Sequence, residues 1–290
     1  MSIRSELKYS IGYVLKHNRD GSFATQADRK QMLNTFANEL VDLGYGLRDI
    51  RGLKQKHIAA VVKHWQKSQL AISTIKNRTS VLRYLCEKIN KPNIVPTNKE
   101  LQIGNRQYIP KKNRAIFNPD FSTIKNPYVR ISLELQRLFG LRREESLKIK
   151  PHLADKGDRL ELLAPWCKGG RGRTVPIRTE EQRYWLDQAK AIAGKFEYSL
   201  IPQDKNYIQH RWVYDKQIRA AGFRNLHGLR HSYAQQRYKE LTDWEAPING
   251  GPKFKELTFQ QKEIDQQARM ILTEELGHSR TQITVNYCGK

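Results

Sequence analysis

The stretch Leu276-Gly277-His278-Ser279-Arg280-Thr281-Gln282-Ile283-Thr284-Val285-Asn286-Tyr287 decides how the rest of the chain is read. A histidine follows a helix-breaking glycine, and a tyrosine follows nine residues after that histidine. On one continuous helix, at about 100° per residue, this spacing would put His278 and Tyr287 on opposite faces. They converge only if His278 sits in a turn ahead of a new helix. Gly277 as breaker and Ser279 as N-cap would supply that turn. Taken alone Tyr287 reads as a packing residue, so its meaning has to come from upstream.

Three upstream clusters give it one. In His227-Gly228-Leu229-Arg230-His231 a helix would place Arg230 (i, i+3) and His231 (i, i+4) on the face of His227. Paired histidines suggest zinc, but Gly228 stands where a metalloprotease needs Glu, and no third ligand is evident. No metal is therefore expected, and packing or capping is the plain reading of His231. In Cys167-Lys168-Gly169-Gly170-Arg171-Gly172-Arg173-Thr174-Val175-Pro176-Ile177, glycines allow close backbone approach at a hairpin tip, while Lys168, Arg171 and Arg173 make it cationic. It is a phosphate clamp or a solvated loop, and it lacks the order of a P-loop. In Gly140-Leu141-Arg142-Arg143-Glu144-Glu145-Ser146-Leu147 a glycine ends one helix and two acids open the next. An arginine at such a corner can aim its planar fork at a phosphate.

Bulk composition agrees with a polyanionic partner. Lys and Arg number 52 against 29 Asp and Glu, a formal charge of +23. Such an excess, spread along the chain, points to nucleic acid. No apolar run approaches the roughly 20 residues that span a bilayer, so no membrane role is expected. The start lacks an apolar signal core, and Cys86, Cys167 and Cys288 are few, odd in number and widely spaced. Both features predict reduced thiols and a cytoplasmic location.

Residues 1–105 read as a helical bundle. Met32, Leu33, Phe36, Ala37, Leu40 and Val41 recur at helical spacing, as do Ile58, Val61, Val62 and Trp65, and Ser73 reads as the N-cap of a later helix. Residues 106–118, with Lys111, Lys112 and Arg114, read as a basic linker near phosphates. Residues 119–290 read as a mixed domain with helices and a two-stranded hairpin over Leu160–Leu163 and Thr174–Ile177. The expected class is mainly α, with a small antiparallel β-sheet in the second domain.

Taken jointly, the four clusters resemble the tyrosine recombinases, the lambda-integrase-like site-specific recombinases. The Gly-Leu-Arg-x-x-Glu box gives Arg142, with Glu145 as its supporting acid. The family's hairpin pattern aligns without gaps on 167–177 and gives Lys168, with Cys167 in place of the usual glycine. The His-x-Leu-Arg-His box gives His227 and Arg230, with His231 in support. The Leu-Gly-His box gives His278 and Tyr287. Residues 1–105 loosely resemble the family's core-binding domain, where Lys76 and Arg78 join Lys111, Lys112, Arg114, Arg171 and Arg173 as candidate DNA contacts. Two departures stand out: an extra segment at about 239–262, which reads as a surface loop or protein contact, and only three residues after Tyr287, too few to pass a tail to a neighbouring subunit in the usual way.

The resemblance implies a two-domain clamp around double-stranded DNA and a metal-independent, ATP-independent strand transferase with no cofactor. Tyr287 would form a 3′-phosphotyrosyl bond, Arg142 and Arg230 would hold the phosphate, and Lys168 would protonate the leaving 5′-oxygen. His227 would move the tyrosine proton and His278 would bond the phosphate. It further implies a homotetramer on synapsed DNA built from protomers that are monomers in solution, with accessory bending or directionality factors as further partners. Integration or excision of a mobile element or prophage is the favoured use. The rival readings are a type IB topoisomerase and a non-catalytic DNA-binding protein on a decayed recombinase fold.

Overall fold

The computed structural model describes residues 1–110 and 112–290, so the candidate DNA contact Lys111 lies outside the described residues. The chain divides into two compact units, Met1–Gln107 and Tyr108–Lys290.

The first unit is helical, with α1 (Ile3–Lys16), α2 (Phe23–Asp42), α3 (Gln55–Lys67) and α4 (Ile72–Lys88). Serine hydroxyls begin the first two: Ser2 accepts from the Ser5 amide and Ser22 from the Thr25 amide, satisfying orphan helix donors. Helix α4 starts before Ser73: Ala71 holds the cap position, without a side-chain bond. The apolar stripes read from sequence meet in one core of Leu33, Phe36, Leu40, Ile58, Val61, Trp65, Leu82 and Leu85. Each such side chain contributes about 1.5–3 kcal/mol by leaving water. Trp65 buries its ring and donates its indole N–H to Glu39 (2.7 Å), which also pairs with Arg78 (2.9 Å). Arg78 is thus engaged within its own unit, and its guanidinium stacks over Trp65. Lys76 is half-buried on the same helix.

The second unit is α+β. Helix α5 (Pro127–Phe139) is capped by Asn126, with Pro127 at its first position, and stops at Gly140 in the left-handed region. Short helices α6 (Arg143–Lys148) and α7 (Pro151–Ala154) lead into strands β1 (Arg159–Leu162) and β2 (Arg173–Pro176). The strands pair antiparallel, Leu162 opposite Arg173 and Leu160 opposite Val175. Helices α8 (Glu180–Ala193), α9 (Tyr207–Ala220), α10 (Gly228–Thr242), α11 (Phe259–Glu275) and the four-residue α12 (Val285–Cys288) complete it. Leu135, Phe139, Leu160, Leu162, Val175, Leu186, Tyr238, Leu272 and Leu276 form its main core.

Two stretches are held to the second unit by specific contacts. In the extra segment Ala246 is fully buried, Trp244 donates to the Tyr238 hydroxyl (3.3 Å), and Ile248 abuts Gly289. The connector also joins the second unit, since Ile116 N donates to Gly228 O (3.1 Å) and Asn113 bonds Gln235. Among the described residues no helix is long and apolar enough to cross a membrane.

Candidate active site

Gly140 is the corner on which the site turns. With φ +60° it reverses the chain after α5, and an added Cβ would lie 2.6 Å from the Tyr233 ring. Only glycine fits both demands. The corner delivers Arg142 to the start of α6, where Glu145 accepts from the Arg142 backbone N–H (2.7 Å) and from its guanidinium (2.6 Å). The Arg142 side chain stays 23 % exposed, which leaves a donor edge open.

Helix α10 supplies the second arginine from its first turn. Arg230 is 1 % exposed and donates to the carbonyls of Gly140 and Leu276, which fix its plane. Its Nε lies 3.4 Å from the Tyr287 hydroxyl, and Nη2 lies 3.4 Å from His278 Nε2. Because a guanidinium only donates, Nε2 accepts here and the neutral ring carries its proton on Nδ1. Burial lowers the Arg230 pKa to about 10, with Tyr287 opposing and Arg142 reinforcing the shift, so the group remains cationic at neutral pH.

The turn required before Tyr287 is present, though Ser279 does not cap it. Helix α11 ends at Glu275, Gly277 takes φ +62°, and His278 occupies the turn. A 3-10 turn over Thr281–Thr284, preceded by Arg280 without a side-chain cap, then feeds α12. Tyr287 is 6 % exposed and is ringed by three imidazoles, at centroid distances of 4.7 Å (His231), 5.6 Å (His278) and 6.1 Å (His227). Lost hydration first, then the surrounding guanidinium groups, lower the pKa of His278 to about 4 and pull that of His227 down. The pKa of His231 also falls to about 4, through burial and then the neighbouring His227. All three are neutral at physiological pH.

Arg142, His227, Arg230, His278 and Tyr287 therefore meet, with Glu145 and His231 beside them. Lys168 does not join them here. It lies exposed at the hairpin tip, where Gly170 N bonds Cys167 O (3.1 Å). Exposed Arg171, Lys112 and Arg114 are placed to meet solvent. Arg173 is not, and its place among the surface DNA contacts is corrected. Only 8 % exposed, it grips Glu145 in a bidentate pair (3.0 and 2.7 Å) and donates to Glu275 O (2.7 Å). Burial alone would raise the Glu145 pKa, but the bond and charge of Arg173, then Arg142, outweigh it and hold it at about 2. The alternation along β2 carried the signal, because Arg173 lies two residues before the inward Val175. Among the described residues no cluster of His, Cys, Asp or Glu is arranged to hold a metal.

A family model for the phage integrase N-terminal region matches residues 5–95, and an integrase model matches residues 102–236. The chain belongs to the tyrosine recombinase (phage integrase) family. The second match ends before His278 and Tyr287, so the last box rests on the geometry just described. Among solved structures, this recombinase-family chain is similar in fold to three complexes. The XerH site-specific recombinase on palindromic difH, a post-cleavage complex, is 16% identical over 97% of this chain and 80% of the other, with TM-score 0.60. A lambda integrase dimer bound to a COC′ core site is 14% identical over 99% and 95%, with TM-score 0.58. The Tn1549 transposon integrase with transposon right end DNA is 12% identical over 99% and 94%, with TM-score 0.54. No curated protein matches the sequence.

Proposed function

We propose that this chain is a site-specific DNA recombinase that cuts and rejoins duplex DNA through a 3′-phosphotyrosyl intermediate at Tyr287. The observation that carries the reading is the Tyr287 hydroxyl 3.4 Å from Arg230 Nε inside a ring of neutral histidines. The phenol oxygen attacks the scissile phosphorus, the bond to the 5′-oxygen breaks, and a phosphotyrosyl ester keeps the energy of the broken link, so rejoining needs no ATP. Arg142 and Arg230 meet the non-bridging oxygens and stabilise the five-coordinate transition state. His227, neutral and beside the phenol, accepts its proton; His278 donates its ring N–H to the phosphate. Lys168, swung in on the hairpin when DNA binds, gives a proton to the leaving 5′-oxygen. Glu145 and His231 hold this set in place.

Duplex DNA as substrate is supported by the charge of +23 and by the DNA held in each of the three likened structures. Cationic side chains including Lys112, Arg114 and Arg171 would contribute a salt-dependent, sequence-independent share of affinity. Exchange between two duplex sites needs one tyrosine per strand, hence four protomers on the synapsed pair. Movement of a mobile element is the use we favour. The test is Tyr287→Phe on a nicked suicide duplex carrying a site selected from random DNA. The variant binds with wild-type affinity and forms no covalent adduct. Adduct at the wild-type level removes Tyr287 from the role.

A further inference from the structure

We infer that Gln235 is a positioning residue for Tyr287 and that Asn113 sets Gln235, so that the cationic segment 112–114 governs where the tyrosine sits. The inference deepens the reading of Tyr287 as nucleophile and rests on it.

Gln235 lies on α10 beyond Arg230 and is 1 % exposed. Its Nε2 donates to the Tyr287 carbonyl (2.9 Å) and to Asn113 Oδ1 (2.8 Å). Asn113 Nδ2 donates back to Gln235 Oε1 (3.0 Å) and onward to Asn249 Oδ1 (3.3 Å), whose own amide donates to Glu245 (2.8 Å). Two primary amides thus face each other in a closed ring, and each uses both of its N–H groups. Only a side chain with donor and acceptor at once can occupy either place.

The tyrosine depends on this support. Helix α12 has four residues, too few to hold itself by its own hydrogen bonds. Gln235 fixes the Tyr287 carbonyl from the helix that also carries Arg230, so a shift of Gln235 moves the phenol against Arg230. Segment 113–116 touches that helix a second time at its start. Arg114 O would lie 2.4 Å from a Cβ at Gly228, next to His227, and Ile116 N bonds Gly228 O. Lys112 and Arg114, both exposed, flank Asn113. A phosphate drawn to either cation pulls on the amide ring and, through it, on the nucleophile.

The test compares the full-length wild type with Gln235→Glu and Asn113→Asp, each nearly isosteric and each setting acceptor against acceptor. Each is pre-bound to the nicked suicide duplex at saturating concentration. A near-attack geometry lost by about an ångström predicts an adduct-formation rate down by roughly 30-fold or more, with final amplitude and DNA affinity within about twofold. A merely structural role would lower the amplitude and leave the rate. Single variants within about threefold of the wild-type rate overturn the inference. If Gln235→Glu does not fold, Asn113→Asp at its exposed position decides alone. A 3-fluorotyrosine at 287 gives a readout free of catalysis, and its fluorine signal shifts in both variants without DNA. An unmoved signal also overturns the inference. A wild type without adduct but with a shifting signal fails the nucleophile reading and leaves the positioning intact.

Discussion

Replacing Glu145 by Gln removes one charge from the most heavily bonded carboxylate of the second unit and changes almost no volume. Glu145 is fully buried, takes two bonds from Arg173, and receives the Arg142 backbone and guanidinium donors. A Gln amide presents an NH2 to donors that need an acceptor, and Arg173 is left as a buried cation without its counter-charge. The carboxyl is held at about 2 against an ordinary 4.5. At about 1.4 kcal/mol per unit that is roughly 3 kcal/mol. Breaking one side of a buried pair independently suggests about 3–5 kcal/mol. For a unit of this size the thermal midpoint should fall by roughly 6–20 °C. Tryptophan fluorescence reads it cleanly, because Trp65 is the only tryptophan of the first unit. The sign with pH follows from the depressed pKa. The stabilisation is full above about 4.5, the unfolded value, and is lost as pH falls through about 2. The gap between wild type and Glu145→Gln should therefore close over that window. A midpoint within about 2 °C of wild type at pH 7, or a gap independent of pH, refutes the reasoning.

Two further outcomes are expected. Gly140→Ala should lose about 1–3 kcal/mol, since its φ of +60° and the Tyr233 ring 2.6 Å away both resist a Cβ. It should also slow cleavage, because the Gly140 carbonyl orients Arg230; both are read by thermal melts and suicide-substrate kinetics. Lys168→Ala should bind DNA normally but cleave about 100-fold or more slowly. A substrate whose leaving oxygen is replaced by sulfur, which needs no proton, should restore the rate, and failure of that rescue would remove Lys168 as the acid.

What the sequence revealed and concealed follows one line. Residues set by local spacing were legible: the glycine corner before Arg142, the His227–Arg230 face, and the break at Gly277. Caps were less so: the elements expected to start at Ser73 and Ser279 start instead from Ala71 and Arg280, neither of which makes a side-chain cap bond, so tertiary packing rather than cap chemistry sets those starts. Arg173 was misread because a charged hairpin looks solvated until its partner is known, and Glu145 stands far away in sequence. The amide ring of Asn113, Gln235 and Asn249 left no pattern at all, for it joins three segments and uses residues common on any surface. The packing of Ala246 and Ile248 was hidden for the same reason.

The central claim is that one side chain of this protein becomes joined to DNA. Covalent complex trapped on the nicked duplex can be digested with trypsin and nuclease and sequenced by mass spectrometry. The expected product is a nucleotide linked through its 3′-phosphate to Tyr287. A nucleotide on any other residue, or on its 5′-phosphate, would contradict it.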